Sequence, residues 1–175
     1  MSEDKKPMKY YSNIQEKMLS EALGWSKIGG SGAAPCAPGD VSGSQWLGEC
    51  KTHTKESPIL FDANVWAKIK EEAYSRLKRP VLFVDNGTQK IRDTWCICLA
   101  KDINAATLIV ADLPFKVKKN ITFNSGTALS AYSFLKGLTN EYVGQFYTHA
   151  AFEYTWNGDK VYIMPFEAFS EMHRK

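Results

Sequence analysis

Apolar residues near the start of the chain recur at intervals of three and four, which predicts an amphipathic helix. Ser12 followed by Gln15 forms a capping-box pattern that places the start of the helix at Ser12, and Gly24 provides a stop. The apolar face is formed by Ile14, Met18, Leu19, Ala22 and Leu23. Glu16 and Glu21 lie at the two borders of this apolar face and not at the centre of the polar one.

Strand patterns begin after a loop rich in Gly, Ser, Ala and Pro over residues 29–39, which cannot be regular structure. Residues 46–52 are predicted to form a strand, paired in a hairpin with residues 40–41. Residues 81–84 are all apolar, which is typical of a strand buried on both faces, and residues 94–100 predict another strand.

A second helix lies between these strands. Asp62 is its predicted N-cap, and Pro80 marks its end. Its buried face is predicted to carry Val65, Trp66, Ile69, Ala73 and Leu77. The exposed face and the segment that follows carry several basic residues, namely Lys68, Lys70, Arg76, Lys78 and Arg79.

The second half of the chain has weaker patterns. Residues 107–111 and 160–164 predict strands, and residues 127–137 predict a helix. Residues 1–10 are polar and lysine-rich and are expected to form a loose arm. The order of elements predicts a single α/β domain, in which helices flank a mixed β-sheet and residues 100–175 extend the core.

Composition places the chain among globular proteins, with 44% hydrophobic and 23% charged residues. Its apolar runs fall far short of the roughly 20 residues that cross a bilayer, and no secretory signal is visible, so a cytoplasmic protein without membrane contact is expected. The net charge of +3 permits nucleic-acid binding without indicating it. Four cysteines lack zinc-like spacing and are expected to be free thiols, namely Cys36, Cys50, Cys96 and Cys98.

Candidate chemistry is concentrated in Asp40 and in the Glu49-Cys50-Lys51 segment. Side chains alternate along a strand, so Glu49 and Lys51 project from the same face, and Asp40 on the adjoining strand can lie beside Glu49. Two converging carboxylates form a hard oxygen site that suits magnesium or manganese. Lys51 can then hold, or help to deprotonate, a water molecule that attacks a phosphodiester.

Each part of this pattern is also common on solvated protein surfaces, and Glu-x-Lys alone is more often structural than catalytic. Trp46 and Leu47 indicate that the strand is not a loose edge. The Gly/Ser loop upstream would let backbone approach a phosphate closely. His149 and His173 have no partners at metal or triad spacing and are expected to be structural or surface residues.

Together these features resemble the PD-(D/E)XK nuclease superfamily. The resemblance covers residues 12–85: a helix with a glutamate, a Gly/Ser loop, Gly-Asp-Val, Glu-Cys-Lys, and a helix ending at Arg-Pro before an apolar strand. Within the superfamily the chain is most similar to Holliday-junction-resolvase-like endonucleases of phages and archaea. The resemblance implies a restriction-endonuclease-like sheet and cleavage of DNA, in the host cytoplasm if a phage encodes the protein.

Carried over residue by residue, the resemblance implies a catalytic set of Asp40, Glu49 and Lys51, with a glutamate from the first helix. Glu16 fits that role best and Glu21 is the alternative. Asp40, Glu49 and Glu16 would bind Mg²⁺, with Mn²⁺ as a substitute. The chain departs from the family at residue 39, where Gly39 replaces the usual proline.

The resemblance also implies a homodimer that acts on branched or duplex DNA. Ser31 lies in the loop that contacts phosphate in such resolvases, and His53 shares the face of Glu49 and Lys51 if the strand extends that far. A basic cluster after residue 115 could contact flanking phosphates, and it consists of Lys116, Lys118 and Lys119. Two alternatives remain open: another nuclease of the same fold, of restriction, repair or exonuclease type, and a non-catalytic DNA-binding protein.

Overall fold

The computed structural model describes residues 6–28, 39–141 and 149–173. Within these ranges the α-helices are α1 (Met8–Leu23), α2 (Ala63–Ser75), α3 (Ser125–Glu141) and α4 (Phe166–His173). The first five strands are β1 (Ser26–Lys27), β2 (Val41–Ser42), β3 (Trp46–Lys51), β4 (Ile59–Phe61) and β5 (Arg79–Asp85). The other five are β6 (Thr94–Leu99), β7 (Leu108–Asp112), β8 (Ile121–Phe123), β9 (His149–Trp156) and β10 (Asp159–Pro165).

The main sheet of the described residues has eight strands in the order β1-β2-β3-β5-β6-β10-β9-β7. Two neighbouring pairs, β3 with β5 and β7 with β9, are parallel, and the other neighbours are antiparallel. Strands β4 and β8 form a separate antiparallel pair. The predicted α/β class, with helices flanking a mixed sheet, is confirmed.

The core is centred on β5, which is buried from Pro80 to Asp85. The ring of Phe83 lies 6.2 Å from Trp25 and 5.6 Å from both Phe166 and Phe169, so α4 and the end of α1 cover this strand. Helix α2 packs against β5 and β3, and α1 also contacts β3. Strand β3, which carries the candidate acid and lysine, is therefore held by two helices and by neighbours on both edges.

Helix α1 begins at Met8, so the predicted start at Ser12 is wrong and the proposed arm loses its last three residues. Pro7 is the N-cap, and no side chain caps the helix. Gln15 is fully buried and bonds to the backbone oxygen of Lys51. Burial of Gln15 against β3, and not a capping box, explains a polar residue at that position.

Helix α2 begins as predicted, because Oδ1 of Asp62 accepts hydrogen bonds from the backbone N–H groups of Asn64 (2.8 Å) and Val65 (3.1 Å). The predicted burial of Leu77 is wrong. The helix ends at Ser75, and Leu77 adopts φ +56° with 96% of its surface exposed. Helical spacing predicts a buried Leu77, but the helix ends two residues before it, so Leu77 does not share the buried face.

Residues beyond 100 are part of the main sheet. The predicted strands and helix occur as β7, β10 and α3, and β10 lies between β6 and β9 near the sheet centre. Phe152 and Trp156 of β9 are buried, as are the free thiols of Cys50, Cys96 and Cys98. Among the described residues, no helix has the length and apolar character that a membrane span requires.

Candidate active site

The turn into the site depends on Gly39, whose φ of +65° lies in the left-handed region. A Cβ at this position would lie 2.9 Å from Cγ of Leu47 and 3.0 Å from the backbone oxygen of Gly48. The N–H of Gly39 donates to Oε2 of Glu72 on α2 at 3.1 Å. Proline can adopt neither this φ nor this hydrogen bond. Glycine, and not the proline that the resemblance implies, therefore suits the local backbone at residue 39.

Asp40 is fixed at the open end of the β2–β3 hairpin. Its N–H donates to the oxygen of Gly48 at 2.8 Å, and its own oxygen accepts from Ile28 N–H at 2.9 Å. Oδ2 of its side chain accepts the backbone N–H of Cys50 at 2.9 Å. The carboxylate thus occupies a ladder position beside β3, next to Glu49, and only 8% of the residue is exposed.

Asp40 lies close to two other carboxylates, those of Glu49 and Glu16, which act on its pKa. Burial raises the pKa of Asp40 to about 6, and the charges of Glu49 and Glu16 contribute to this rise, while the Cys50 N–H and Lys51 oppose it. Like charges at close range disfavour ionisation, and a bound cation would remove that penalty. The three acids therefore form one electrostatic cluster.

Lys51 is the nearest cation to Glu49, with Nζ 2.6 Å from Oε1. Burial alone would lower the pKa of the Lys51 ammonium, but its hydrogen bond to Glu49 and the charges of Glu49 and Asp40 outweigh burial and raise it. Lys51 is therefore protonated at neutral pH in this arrangement. It can donate hydrogen bonds and offset negative charge, which favours holding a water molecule over removing a proton from it.

Of the two candidate acids on α1, only Glu16 lies in the cluster. It is 5% exposed, and its Oε2 lies 3.3 Å from Nζ of Lys27 on β1. The side chain of Glu21 is largely exposed and pairs with Lys17 at 3.9 Å. The geometry favours Glu16 as the acid contributed by α1.

Gln15 is a residue of this region that the sequence interpretation missed. Its Nε2 donates to the backbone oxygen of Lys51 at 2.6 Å, while its Oε1 is buried without a hydrogen-bond partner among the described residues. A signal was present in the sequence, because Gln15, Leu19 and Leu23 recur at intervals of four and share the buried face. The capping-box pattern instead predicts that Gln15 lies in the first turn of the helix and bonds to its N-terminus.

The acids fit a hard divalent cation in chemistry, since all three are carboxylates. Within residues 6–28, 39–141 and 149–173, however, no group of three or more His, Cys, Asp or Glu has the arrangement of a metal site. Lysines bond to two of the acids instead, Lys51 to Glu49 and Lys27 to Glu16. Binding of a cation would require these two ion pairs to rearrange.

Two predicted substrate contacts have different outcomes. Ser31 lies outside the described residues. His53 is predicted to share the face of Glu49 and Lys51 if the strand extends that far. Strand β3 ends at Lys51, so this condition is not met. The backbone oxygen of His53 accepts from Nε2 of Gln89 at 3.0 Å. The chain leaves the strand where Oγ1 of Thr52 donates to the buried Asp85 at 2.6 Å.

The predicted basic cluster of Lys116, Lys118 and Lys119 lies in the exposed segment that joins β7 to β8. Strand β8 pairs with β4, so this segment is not part of the hairpin that carries Asp40 and Glu49. The contact of these lysines with DNA stays a prediction.

The chain matches no protein-family model, no curated protein and no solved structure. The family resemblance therefore rests on the chain's own residues alone.

Proposed function

We propose that this protein is a divalent-metal-dependent endonuclease that hydrolyses phosphodiester bonds of DNA. The observation that carries the proposal is the environment of Asp40, a buried carboxylate whose pKa is raised to about 6 by burial and by Glu49 and Glu16. An enclosed cluster of carboxylates next to a protonated lysine costs stability in the absence of a cation. Such costs are typical of functional sites.

Asp40, Glu49 and Glu16 would hold the ion, which is Mg²⁺ or Mn²⁺ in its place. When bound, a divalent ion supplies charge that polarises the phosphate and lowers the pKa of a coordinated water. Asp40 is oriented for this role by the Cys50 N–H, which fixes one carboxylate oxygen. The second oxygen of Asp40 can then act as a ligand without a change in the backbone of the hairpin.

The ammonium group of Lys51 has a role separate from that of the metal. Lys51 is half exposed, so its ammonium can reach a substrate phosphate or a water molecule while it remains beside Glu49. Because it stays protonated, it would stabilise the negative charge that develops on the phosphate oxygens. Gln15 holds the backbone of Lys51 from α1, so the helix that carries Glu16 and the strand that carries Glu49 are joined at this point.

The substrate class within this proposal is branched DNA, with duplex DNA as the second option, and the acting species is a homodimer. Both statements rest on the resemblance to Holliday-junction resolvases. Symmetric cutting of a four-way junction needs two coordinated sites, and the described part of one chain supplies one acid cluster. A restriction-like or repair nuclease would share the same chemistry.

A non-catalytic DNA-binding protein of the same fold is the alternative from another class. Lys51 and the three acids argue against it, because binding alone gives no reason to bury carboxylates where DNA phosphates would approach. Those negative charges would repel DNA unless a cation lay between them.

The decisive experiment incubates purified protein with a labelled four-way junction and a matched linear duplex, with Mg²⁺, with Mn²⁺ and with excess chelator. We expect paired nicks in the junction that require the metal, and no cleavage by Glu49→Gln. Glu21→Gln is the matched control, since Glu21 is exposed and pairs with Lys17 outside the cluster. Cleavage that persists undiminished in chelator would overturn the proposal.

A further inference from the structure

A cavity of about 810 Å³ lies at the turn end of the β2–β3 hairpin, the end opposite Asp40 and Glu49. Its volume is within the range of small-molecule sites. The wall includes the end of α1, the hairpin turn and the end of α4, and the residues used below are Trp25, Gly43, Ser44, Trp46, Lys78 and His173. Among the described residues that line the cavity, none is Asp or Glu.

The charge in the cavity comes from Lys78. Its Nζ donates to Oγ of Ser42 at 2.5 Å and to the backbone oxygen of Gly43 at 2.8 Å. An ammonium group has three N–H donors, so these two bonds leave one for a ligand. In the part of the chain that the structure describes, no carboxylate forms an ion pair with Lys78. A partly buried cation without a neutralising acid favours an anionic ligand.

The aromatic wall of the cavity is Trp25. Its ring lies 6.2 Å from Phe83 and 6.1 Å from Phe169, and Gly43 approaches so closely that a Cβ there would lie 2.7 Å from the indole. Trp25 is partly exposed, whereas the four other tryptophans are buried, namely Trp46, Trp66, Trp95 and Trp156. A fixed, partly open indole is suited to stacking with a nucleobase.

The far wall is formed by Trp46 and His173, whose rings lie 4.8 Å apart. Nδ1 of His173 lies 2.7 Å from the backbone oxygen of Phe169, which anchors the imidazole at the end of α4. Trp46 belongs to the same strand as Glu49, so the cavity and the acid cluster share β3. A ligand in this cavity is therefore held by the same rigid elements that position the acids.

We propose that this cavity binds one nucleotide of the DNA strand being cut, with its phosphate at Lys78 and its base against Trp25. The proposal rests on the nuclease function. Trp46 and Glu49 are three residues apart on β3, a rise of about 10 Å. Glu16 and Leu23 are seven residues apart on α1, which is also about 10 Å. At roughly 3.4 Å per nucleotide, the bound nucleotide lies about three positions from the scissile phosphate.

The test is a fluorescence titration in chelator, so that neither metal nor cleavage is involved. The probes are thymidine 5′-monophosphate, thymidine, inorganic phosphate and a short single-stranded oligothymidylate. We expect the monophosphate and the oligonucleotide to quench Trp25 and to compete with each other, while thymidine and phosphate bind at least tenfold more weakly. Trp25→Phe should abolish the quenching.

The variants separate binding from folding. Lys78→Met should weaken oligonucleotide binding about tenfold, and Lys160→Met is the matched control, since Lys160 lies outside the cavity and pairs with Glu153 at 3.6 Å. Lys78 also braces the hairpin turn, so Ser44→Glu is the second variant. Ser44 is exposed and lines the cavity, and a carboxylate there should repel phosphate without removing the Lys78 hydrogen bonds.

Each contrary result overturns the proposal. Equal binding of inorganic phosphate would mean that the cavity is only an anion site. Monophosphate binding that the oligonucleotide cannot displace would mean a site for free nucleotides. Unchanged binding by Ser44→Glu would place the nucleotide elsewhere. Binding as expected, in a protein that cuts no DNA with Mg²⁺, would instead overturn the nuclease function, so the two failures are distinguishable.

Discussion

Gln15 on α1 donates a 2.6 Å hydrogen bond from its side chain to the backbone oxygen of Lys51 at the end of β3. Both residues lie close in sequence to the candidate acids, since Glu16 comes next on the helix and Glu49 lies two positions back on the strand. This bond therefore sets the position of one acid relative to the others. Gln15 is fully buried, so loss of this bond would leave its side-chain amide without a partner, at a cost of about 1–3 kcal/mol.

Replacement of Gln15 by methionine, which has a similar volume, should weaken the use of metal more than the fold. We expect the Mg²⁺ concentration for half-maximal cleavage to rise about tenfold, while the thermal unfolding temperature falls by a few degrees. A Mg²⁺ titration of the cleavage rate measures the effect. Lys17→Ala is the control, because Lys17 is an exposed residue of α1 that pairs with Glu21 at 3.9 Å, outside the cluster. An unchanged Mg²⁺ dependence would show that Gln15 has only a packing role.

Neutralising Asp40 should stabilise the protein without metal. Asp40 has an ordinary pKa of 3.8 and a pKa of about 6 in the fold, so the folded state retains a proton that the unfolded state has lost between these values. The free energy of unfolding therefore falls as pH rises through this window. At pH 8, Asp40→Asn should be more stable than wild type by on the order of 2–3 kcal/mol, and below about pH 4 the difference should vanish.

Denaturant titrations at both pH values in chelator measure this difference. Mg²⁺ should then stabilise the wild type at pH 8 and leave Asp40→Asn unchanged, because a ligand stabilises only a fold that binds it. The variant should not cut DNA. Equal stability of the two proteins at pH 8 would contradict the electrostatic account of the cluster.

The hairpin that carries Asp40 and Glu49 could be predicted from alternation, and the start of α2 from the single cap at Asp62. These features depend on local pattern, and the structure agrees with them. The resemblance favours Glu16 over Glu21 as the candidate acid on α1, but the apolar pattern alone could not decide between them, since both border the apolar face. The choice depends on where the helix packs against β3, a contact between residues 36 positions apart in the sequence.

The same reason explains the elements that were missed. Apolar and polar residues do not alternate clearly along strand β9, for example at Tyr154 and Thr155, so the sequence does not predict it as a strand. Its place between β10 and β7 depends on pairing across the sheet. Residue 39 is different, because the sequence shows a glycine there but does not show the reason for it. Only the backbone angle of Gly39 and its contact with Glu72 supply the cause.

Substitution at Gly39 should therefore disable the site even when the new residue is the proline that the resemblance to PD-(D/E)XK nucleases implies. Gly39→Pro would lose both the left-handed φ and the hydrogen bond to Glu72, and Gly39→Ala would place a Cβ 2.9 Å from Leu47. We expect Gly39→Pro to reduce cleavage at least a hundredfold and Gly39→Ala by a smaller factor. Gly158→Ala is the control for backbone strain, since Gly158 has φ +87° and a Cβ there would meet no described atom within 4 Å.

Cleavage rates are compared with unfolding temperatures for the three variants. Strain of about 1–2 kcal/mol should appear in both alanine variants, whereas the loss of activity should be confined to residue 39. Wild-type activity in Gly39→Pro would mean that the position of Asp40 does not depend on this turn.

The last prediction separates catalysis from DNA binding. Lys51→Ala should reduce single-turnover cleavage by on the order of a hundredfold or more, while affinity for DNA stays within about threefold, because affinity comes from many dispersed phosphate contacts. Glu49→Ala should also abolish cleavage. Without metal it should bind DNA more tightly than wild type, since one negative charge near the phosphate is removed. Gel-shift titrations in Ca²⁺ or chelator, beside single-turnover assays in Mg²⁺, measure the two properties separately.

The reverse behaviour is expected when Lys116, Lys118 and Lys119 are all changed to alanine. These lysines lie in an exposed segment apart from the hairpin. Their loss should weaken DNA binding and should make the affinity less dependent on salt concentration, by the equivalent of up to about three phosphate contacts. The cleavage rate at saturating protein should be preserved. Cleavage by Lys51→Ala at the wild-type rate would make Lys51 a surface residue and would overturn the role proposed for it in catalysis. Loss of both cleavage and binding in Lys51→Ala, with circular dichroism unchanged, would instead make Lys51 a phosphate contact, because a group that serves only the chemical step cannot change ground-state affinity.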